Sequence, residues 1–171
     1  SNYSLNGYFV LLPDIVYKIG NPGISALECV TAAVDAVIEK GFIDKNKIGL
    51  YGHSFGGYET NFIISQTPIF AAAVSGAGIS DNISYYFNIS KNGTFQSEMW
   101  RFESQQWRMG KSLYEDKEAY LRNSPIMNAE KVKTPLLLWT GKEDRVIPYN
   151  QSISYYLALR RLGAKSIMLI Y

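Results

Sequence analysis

Apolar and polar positions along this chain fall into blocks, and the period within each block names an element. Residues 7–13 (GYFVLLP) form a continuous apolar run closed by proline, the pattern of a short strand buried on both faces. Asn21, Pro22 and Gly23 then signal a turn. From 24 to 40 the apolar residues Ile24, Leu27, Val30, Val34, Val37 and Ile38 recur at three and four, which predicts an amphipathic helix with Gly41 as its stop. Residues 47–52 (KIGLYG) are strand-like, 56–66 suit a helix ended near Thr67-Pro68, and 70–76 (FAAAVSG) read as a strand of small residues. Residues 135–141 (PLLLWTG) are a further strand, 149–162 a helix closed by Gly163, and 166–171 (SIMLIY) a last strand. Strands alternating with helices predict an α/β protein with a mostly parallel sheet and helices on both faces.

The stretch from about 80 to 125 breaks this rhythm. It scatters Tyr85, Tyr86, Phe87, Phe95, Trp100, Phe102, Trp107 and Tyr114 among polar residues. It reads as an insertion within one domain over 1–171, a cap over the strand ends whose aromatics mostly pack, with one or two lining a pocket. Three Asn-x-Ser/Thr triplets begin at Asn82, Asn88 and Asn92; they permit glycosylation only in a secreted eukaryotic setting.

Composition narrows the classes. The 171 residues suffice for a real core, and 47% hydrophobic against 19% charged is a globular balance. A net charge of +2, with lysines and arginines dispersed, argues against nucleic acid as partner. No apolar stretch reaches the roughly 20 residues that span a bilayer, so no membrane segment is expected in this piece. The single cysteine, Cys29, reads as a small core residue on a helix. Both ends look cut, and the chain reads as a piece of a longer one.

Chemistry concentrates at residues 51–59 (YGHSFGGYE). Gly52-His53-Ser54-Phe55-Gly56 fits Gly-x-Ser-x-Gly between a predicted strand and a predicted helix, the context of a nucleophile elbow. Gly52, Gly56 and Gly57 leave room where the turn brings backbones together. The turn exposes the Ser54 hydroxyl, and the Phe55 N–H points to the same spot at a helix N-terminus, as an oxyanion donor. Such a serine needs a base, and the base needs a carboxylate. Asp144 or Glu143 could be that acid, in the loop after 136–140; Asp144 is favoured, because Gly-x-x-Asp-x-x-x-Pro sets a short carboxylate at the loop tip. Glu143 and Arg145 read as surface neighbours. His53, the only histidine, is a poor base: successive residues of a tight turn point in different directions, and the base must approach from across the site.

With these residues assembled, the chain resembles the catalytic domain of the prolyl oligopeptidase family of serine peptidases, with an α/β-hydrolase fold. The likeness rests on residues 7–23, 41–60, 108–126 and 131–163. Its most specific parts are Gly-x-Ser-x-Gly-Gly-Tyr, the Ser124-Pro125 pair and the Gly141-to-Pro148 loop. The resemblance implies a peptidase acting on oligopeptides, with Ser54 as nucleophile, Asp144 as acid and Phe55 N–H as one oxyanion donor, and with no cofactor or metal. It implies that the second oxyanion donor, a tyrosine, lies on a loop upstream, that the histidine follows shortly after Tyr171, and that an N-terminal β-propeller precedes Ser1. The fold is then incomplete here, with a gap beside 47–52, and the 171 residues alone are expected to be nearly inert. Two other readings stand beside it: a carboxylic-ester hydrolase of the same fold, and a hydrolase-like binding module that has lost its chemistry.

Overall fold

The stripe through Ala26, Val30 and Val34 becomes the buried side of a seventeen-residue helix, α2 (Pro22–Ile38), which follows a single turn, α1 (Asn2–Leu5). This is a computed structural model, and it describes residues 2–90 and 96–171. Pro22 suits the first turn of α2, where its missing N–H would have no intrahelical partner. At the other end Gly41 takes φ 82° and donates to the Ile38 carbonyl at 2.9 Å, the left-handed stop that glycine adopts without steric cost. Cys29 sits half-buried on α2, where its sulfur accepts from the Val16 N–H at 3.5 Å.

Strand and helix then alternate as the sequence pattern predicts: β1 (Gly49–His53), α3 (Phe55–Ile64) and β2 (Ala72–Gly76). A cap follows, made of α4 (Asn82–Tyr86), an antiparallel pair β3 (Ile89–Ser90) and β4 (Gln96–Ser97), α5 (Met99–Ser104) and α6 (Lys117–Arg122). A 3₁₀ segment over Pro125–Lys131 leads to β5 (Leu136–Thr140), α7 (Asn150–Arg161) and β6 (Ser166–Ile170). The main sheet runs β1-β2-β5-β6 and is parallel throughout. His53 pairs with Gly76, Gly76 with Trp139, and Trp139 with Leu169, so the strands' carboxyl ends form one edge.

Alternation sorts the sheet into two faces. Leu50, Ala73, Leu136, Leu138 and Met168 pack with Ile64 of α3 and with Tyr155 and Leu159 of α7. Fully buried side chains such as Leu138 and Leu159 each contribute about 2 kcal/mol by leaving water. Helix α2 backs the same layer through Ile63, Phe70 and Leu50. The opposite face leaves Tyr51 at 55%, Ile167 at 63% and Leu169 at 41% exposure. The helices that pack on the sheet among the described residues thus share one face, whereas the alternation predicts a layer on each.

Residues 7–13 correct a sequence expectation. They form no strand, and Phe9 and Leu12 are 75% and 87% exposed. An apolar run becomes a strand only when a neighbour completes its ladder, and the edge strand β1 pairs only with β2 among the described residues.

The cap is an aromatic core laid over the strand ends. Phe102 stacks on Trp107 with centroids 4.2 Å apart, Tyr120 lies 5.6 Å from Phe102, and Tyr85 and Tyr86 are buried with them. Ala77, Ile79 and Ile147, from loops after β2 and β5, belong to the same cluster. Most of the aromatics named from sequence do pack, while Phe87 and Tyr114 are exposed; Phe95 and Asn92 lie outside the described residues. Asn82 is fully buried and donates to the Asn123 carbonyl at 2.8 Å, which rules it out as a glycan carrier.

Two buried amides fasten these layers. Asn123 accepts from Gly23 N–H at 3.1 Å and donates to the Gly20 carbonyl at 3.1 Å, while its own carbonyl accepts from the Tyr58 hydroxyl at 3.0 Å. Gln151 of α7 accepts from the N–H groups of Ser80 and Asp81 at 3.1 and 3.0 Å, and donates to Ser84 Oγ at 2.9 Å. Gln151→Ala strands these donors, and each orphaned buried group costs about 1–3 kcal/mol. Urea unfolding should therefore show a loss of about 2 kcal/mol or more; a loss under about 0.5 kcal/mol would show that the amide fastens nothing.

Candidate active site

The turn between β1 and α3 is made from the backbone outward. Ser54 takes φ 57° and ψ −117°, a conformation that costs a residue with a side chain about 1–3 kcal/mol. Two hydrogen bonds hold it there: Ser54 N–H donates to the Gly76 carbonyl at 2.8 Å, and its own carbonyl accepts from Tyr58 N–H at 3.0 Å. The strained residue is stapled on one side to β2 and on the other to the first turn of α3.

The three predicted elbow glycines divide by role. A Cβ on Gly52 would collide with the Gly56 carbonyl, and one on Gly57 would lie 2.8 Å from the Gly76 oxygen and from Gly78 Cα. Both positions require glycine for close backbone approach. Gly56 differs from the expectation: a Cβ there meets nothing within 4 Å. Its contribution is the carbonyl that packs over Gly52, and the space beside it stays open.

Phe55 is the first residue of α3, so its N–H has no intrahelical acceptor and carries the positive end of the helix dipole. Its ring is braced edge-on against Trp107 at 5.1 Å and against Tyr58 at 5.4 Å. The cap thus fixes the residue that opens α3.

Asp144 closes the loop after β5. Its N–H donates to the Gly141 carbonyl at 3.3 Å, and its Oδ1 accepts from the N–H groups of Val146 and Ile147 at 2.8 and 3.0 Å. A short carboxylate that bonds its own backbone two and three residues on is an Asx-type turn. Glu143 and Arg145 are exposed, while Asp144 is half-buried. β1 and β5 are separated by β2 alone, about 10 Å of strand spacing, so Ser54 and Asp144 emerge from one edge of the sheet. Val146 and Ile147, the donors to Asp144, line the same cavity of about 20 Å³ as Ser54 and Phe55.

His53 lies elsewhere. Its ring stacks on Trp139 at 5.2 Å with an 18° tilt, reaching across Gly76 on the face that α3 and α7 leave open. A Cβ on Gly76 would strike the Trp139 ring, which is why these two rings can meet. The single histidine is a packing residue beside the turn.

Sequence reasoning passed over two clusters at the site. Tyr17 hydrogen-bonds Glu59 of α3, its ring lies 6.1 Å from Phe55, and the Arg108 guanidinium sits 4.3 Å above it. Burial raises the Glu59 carboxyl, with the Tyr17 bond and Arg108 opposing, and burial followed by the Glu59 contact drives the Tyr17 phenol up. The second cluster is Glu98 with Arg101, which line the Ser54 cavity. Partners 42 positions apart in Tyr17 and Glu59 leave no spacing pattern to find. Among the described residues no three His, Cys, Asp or Glu gather as a metal site, and no helix is long and apolar enough to cross a membrane.

Comparison with known proteins agrees with this geometry. The profile of the Prolyl oligopeptidase family matches residues 20–171. Among relatives, the uncharacterized peptidase YuxL of Bacillus subtilis is 33% identical over 148 residues, 86% of this chain and 21% of its own. The acylamino-acid-releasing enzyme of Mus musculus is 30% identical, over 89% of this chain and 20% of its own. Among solved structures, the acylaminoacyl peptidase of Pyrococcus horikoshii superposes with a TM-score of 0.78 at 28% identity, over 90% of this chain and 24% of that one. A puromycin-hydrolyzing peptidase of Mycobacterium tuberculosis gives 0.74 at 30% identity, over 89% and 22%. These neighbours are α/β-hydrolase domains, and the chain spans about a fifth of the length of the curated relatives it matches. With the elbow, the parallel sheet and these matches together, the chain belongs to the prolyl oligopeptidase family.

Proposed function

We propose that the protein carrying this chain is a serine peptidase that cuts oligopeptides through an acyl-enzyme on Ser54. The observation that carries the reading is the elbow itself: a serine at φ 57°, pinned to Gly76 and followed at once by the start of α3. The Ser54 hydroxyl attacks the scissile carbonyl while an imidazole takes its proton. Asp144 holds that imidazole in the correct tautomer and stabilises its charged form. Two backbone N–H groups already occupy Asp144 Oδ1, which orients the carboxylate and leaves Oδ2 for the imidazole. Phe55 N–H stabilises the tetrahedral oxyanion, a donor worth about 3 kcal/mol in comparable sites. The amine departs with the proton from the imidazole, and water then releases the acyl group.

The family resemblance supports the parts beyond these residues: a histidine after Tyr171, a tyrosine as second oxyanion donor, and a propeller that filters substrates by size. The named relatives are peptidases and acylamino-acid-releasing enzymes, which favours peptide over simple ester substrates and an active enzyme over a binding module.

Two outcomes follow. A fluorophosphonate probe should label the full-length protein and leave Ser54→Ala unlabelled; a folded wild type that resists the probe would overturn the reading. Asp144→Asn should lower kcat by about 10³- to 10⁴-fold with little change in KM. Steady-state kinetics on a peptide amide checks this, and a fall of less than about tenfold would remove Asp144 from the triad.

A further inference from the structure

The cavity beside Ser54 is not wholly apolar. Phe55, Ile79, Tyr85, Trp107, Val146 and Ile147 supply most of its wall, but Glu98 and Arg101 complete it. Glu98 is only 1% exposed. Its backbone is held firmly: the N–H donates to the Asn88 carbonyl at 3.0 Å, and its carbonyl accepts from Arg101 N–H at 2.9 Å. The carboxylate is placed by the fold and is not free to swing into water.

Its partnership is poor. Arg101 Nε approaches Glu98 Oε2 at 3.2 Å, yet neither atom makes a hydrogen bond among the described residues. A buried carboxylate oxygen without such a bond is costly, even with the Tyr85 hydroxyl beside the group. Burial pushes the Glu98 carboxyl above the usual carboxylate range, with Arg101 and then Tyr85 acting the other way. Arg101 has somewhere else to go. It and Gln106 also line an open cleft of about 570 Å³ whose other walls are Gln105 and Arg108.

We propose that Glu98 determines the specificity of the Ser54 site by selecting a positively charged group, an ammonium or guanidinium, on the residue that acylates Ser54. Arg101 is the counter-ion that the substrate cation displaces into the neighbouring cleft. The cavity of about 20 Å³ holds one water as it stands, so the side chain enters as Arg101 leaves. The exchange is favourable because the arriving cation can form the hydrogen bond that Arg101 Nε does not, and because Arg101 moves from a buried contact to an open one.

The inference rests on Ser54 being the nucleophile, and its test separates the two. Full-length protein is assayed with Nα-acetylated Lys, norleucine and Glu coumarylamides, which isolate a side-chain charge. Free and acetylated Ala coumarylamides isolate a terminal one. At least one cationic member of these pairs should exceed its neutral counterpart in kcat/KM by about tenfold or more. Glu98→Gln, which keeps size and shape, should collapse that ratio toward one. Arg101→Met should raise the ratio, because the competing cation is gone. If Glu98→Gln does not fold, lysine amide should still protect the wild type from fluorophosphonate better than norleucine amide does. Equal rates in both pairs with intact labelling would overturn the inference and leave the peptidase reading standing. A Glu substrate preferred over norleucine, and no longer so in Arg101→Met, would overturn it in favour of Arg101. Absent labelling of folded protein would end both.

Discussion

The hydrogen bond from Ser54 N–H to the Gly76 carbonyl, 2.8 Å long, is the constraint on which the site is built. It asks a serine to hold φ 57°, and the surrounding structure meets that demand. The cost of about 1–3 kcal/mol is offset by this bond and its companion from Tyr58, about 1 kcal/mol each. The burial of Tyr58, Phe62, Ile63 and Ile64, each at most 1% exposed, anchors α3 independently. Because α3 cannot move, the strain stays in the turn. Ser54 stays half-buried at the bend, and the Phe55 N–H stays beside it at the start of the helix.

The parallel sheet sets that turn and the Asp144 loop at one edge. β2 is the hinge of the arrangement: it holds Ser54 through Gly76 on one side and pairs with β5 on the other. The loop bearing Asp144 therefore leaves the same edge as Ser54. Asn123 and Gln151 then lock the cap and α7 to this edge with buried amide bonds. The cap returns the favour by bracing Phe55 with Trp107. The Ser54 turn, the Asp144 loop and the cap are each placed by contacts with the others.

How much of this was legible depended on whether the cause was local. The α2 stripe, the Gly41 and Gly163 stops, the four sheet strands and the elbow follow from periodicity and turn chemistry within a few residues. The turn at Asp144 is local in the same sense, since its hydrogen bonds are to Val146 and Ile147. Residues 7–13 misled because their apolar pattern states what a strand would bury, not whether a partner is there to complete its ladder. The stack of His53 on Trp139 joins positions 86 apart across a sheet, and no spacing rule announces it. The open side of Gly56 was equally hidden, because glycine in a motif does not say whether its carbonyl or its missing side chain matters.

Glu98 is the sharpest case of chemistry that sequence conceals. In the string it stands after Gln96 and Ser97 as one polar residue among several, the profile of a solvated acid. Folding places it under the aromatic cap, where exposure falls to 1%. Asp144 and Glu98 are then two carboxylates at one edge of one sheet, made unlike by their surroundings. Backbone N–H groups satisfy Asp144 within its own turn, and it can serve a base that arrives from elsewhere. Glu98 is desolvated, has a misaligned arginine and the Tyr85 hydroxyl for neighbours, and lines the space beside Ser54. Two acids so differently supplied are suited to different tasks: in the proposed mechanism the one whose needs are met orients, and the one whose needs are not met recognises.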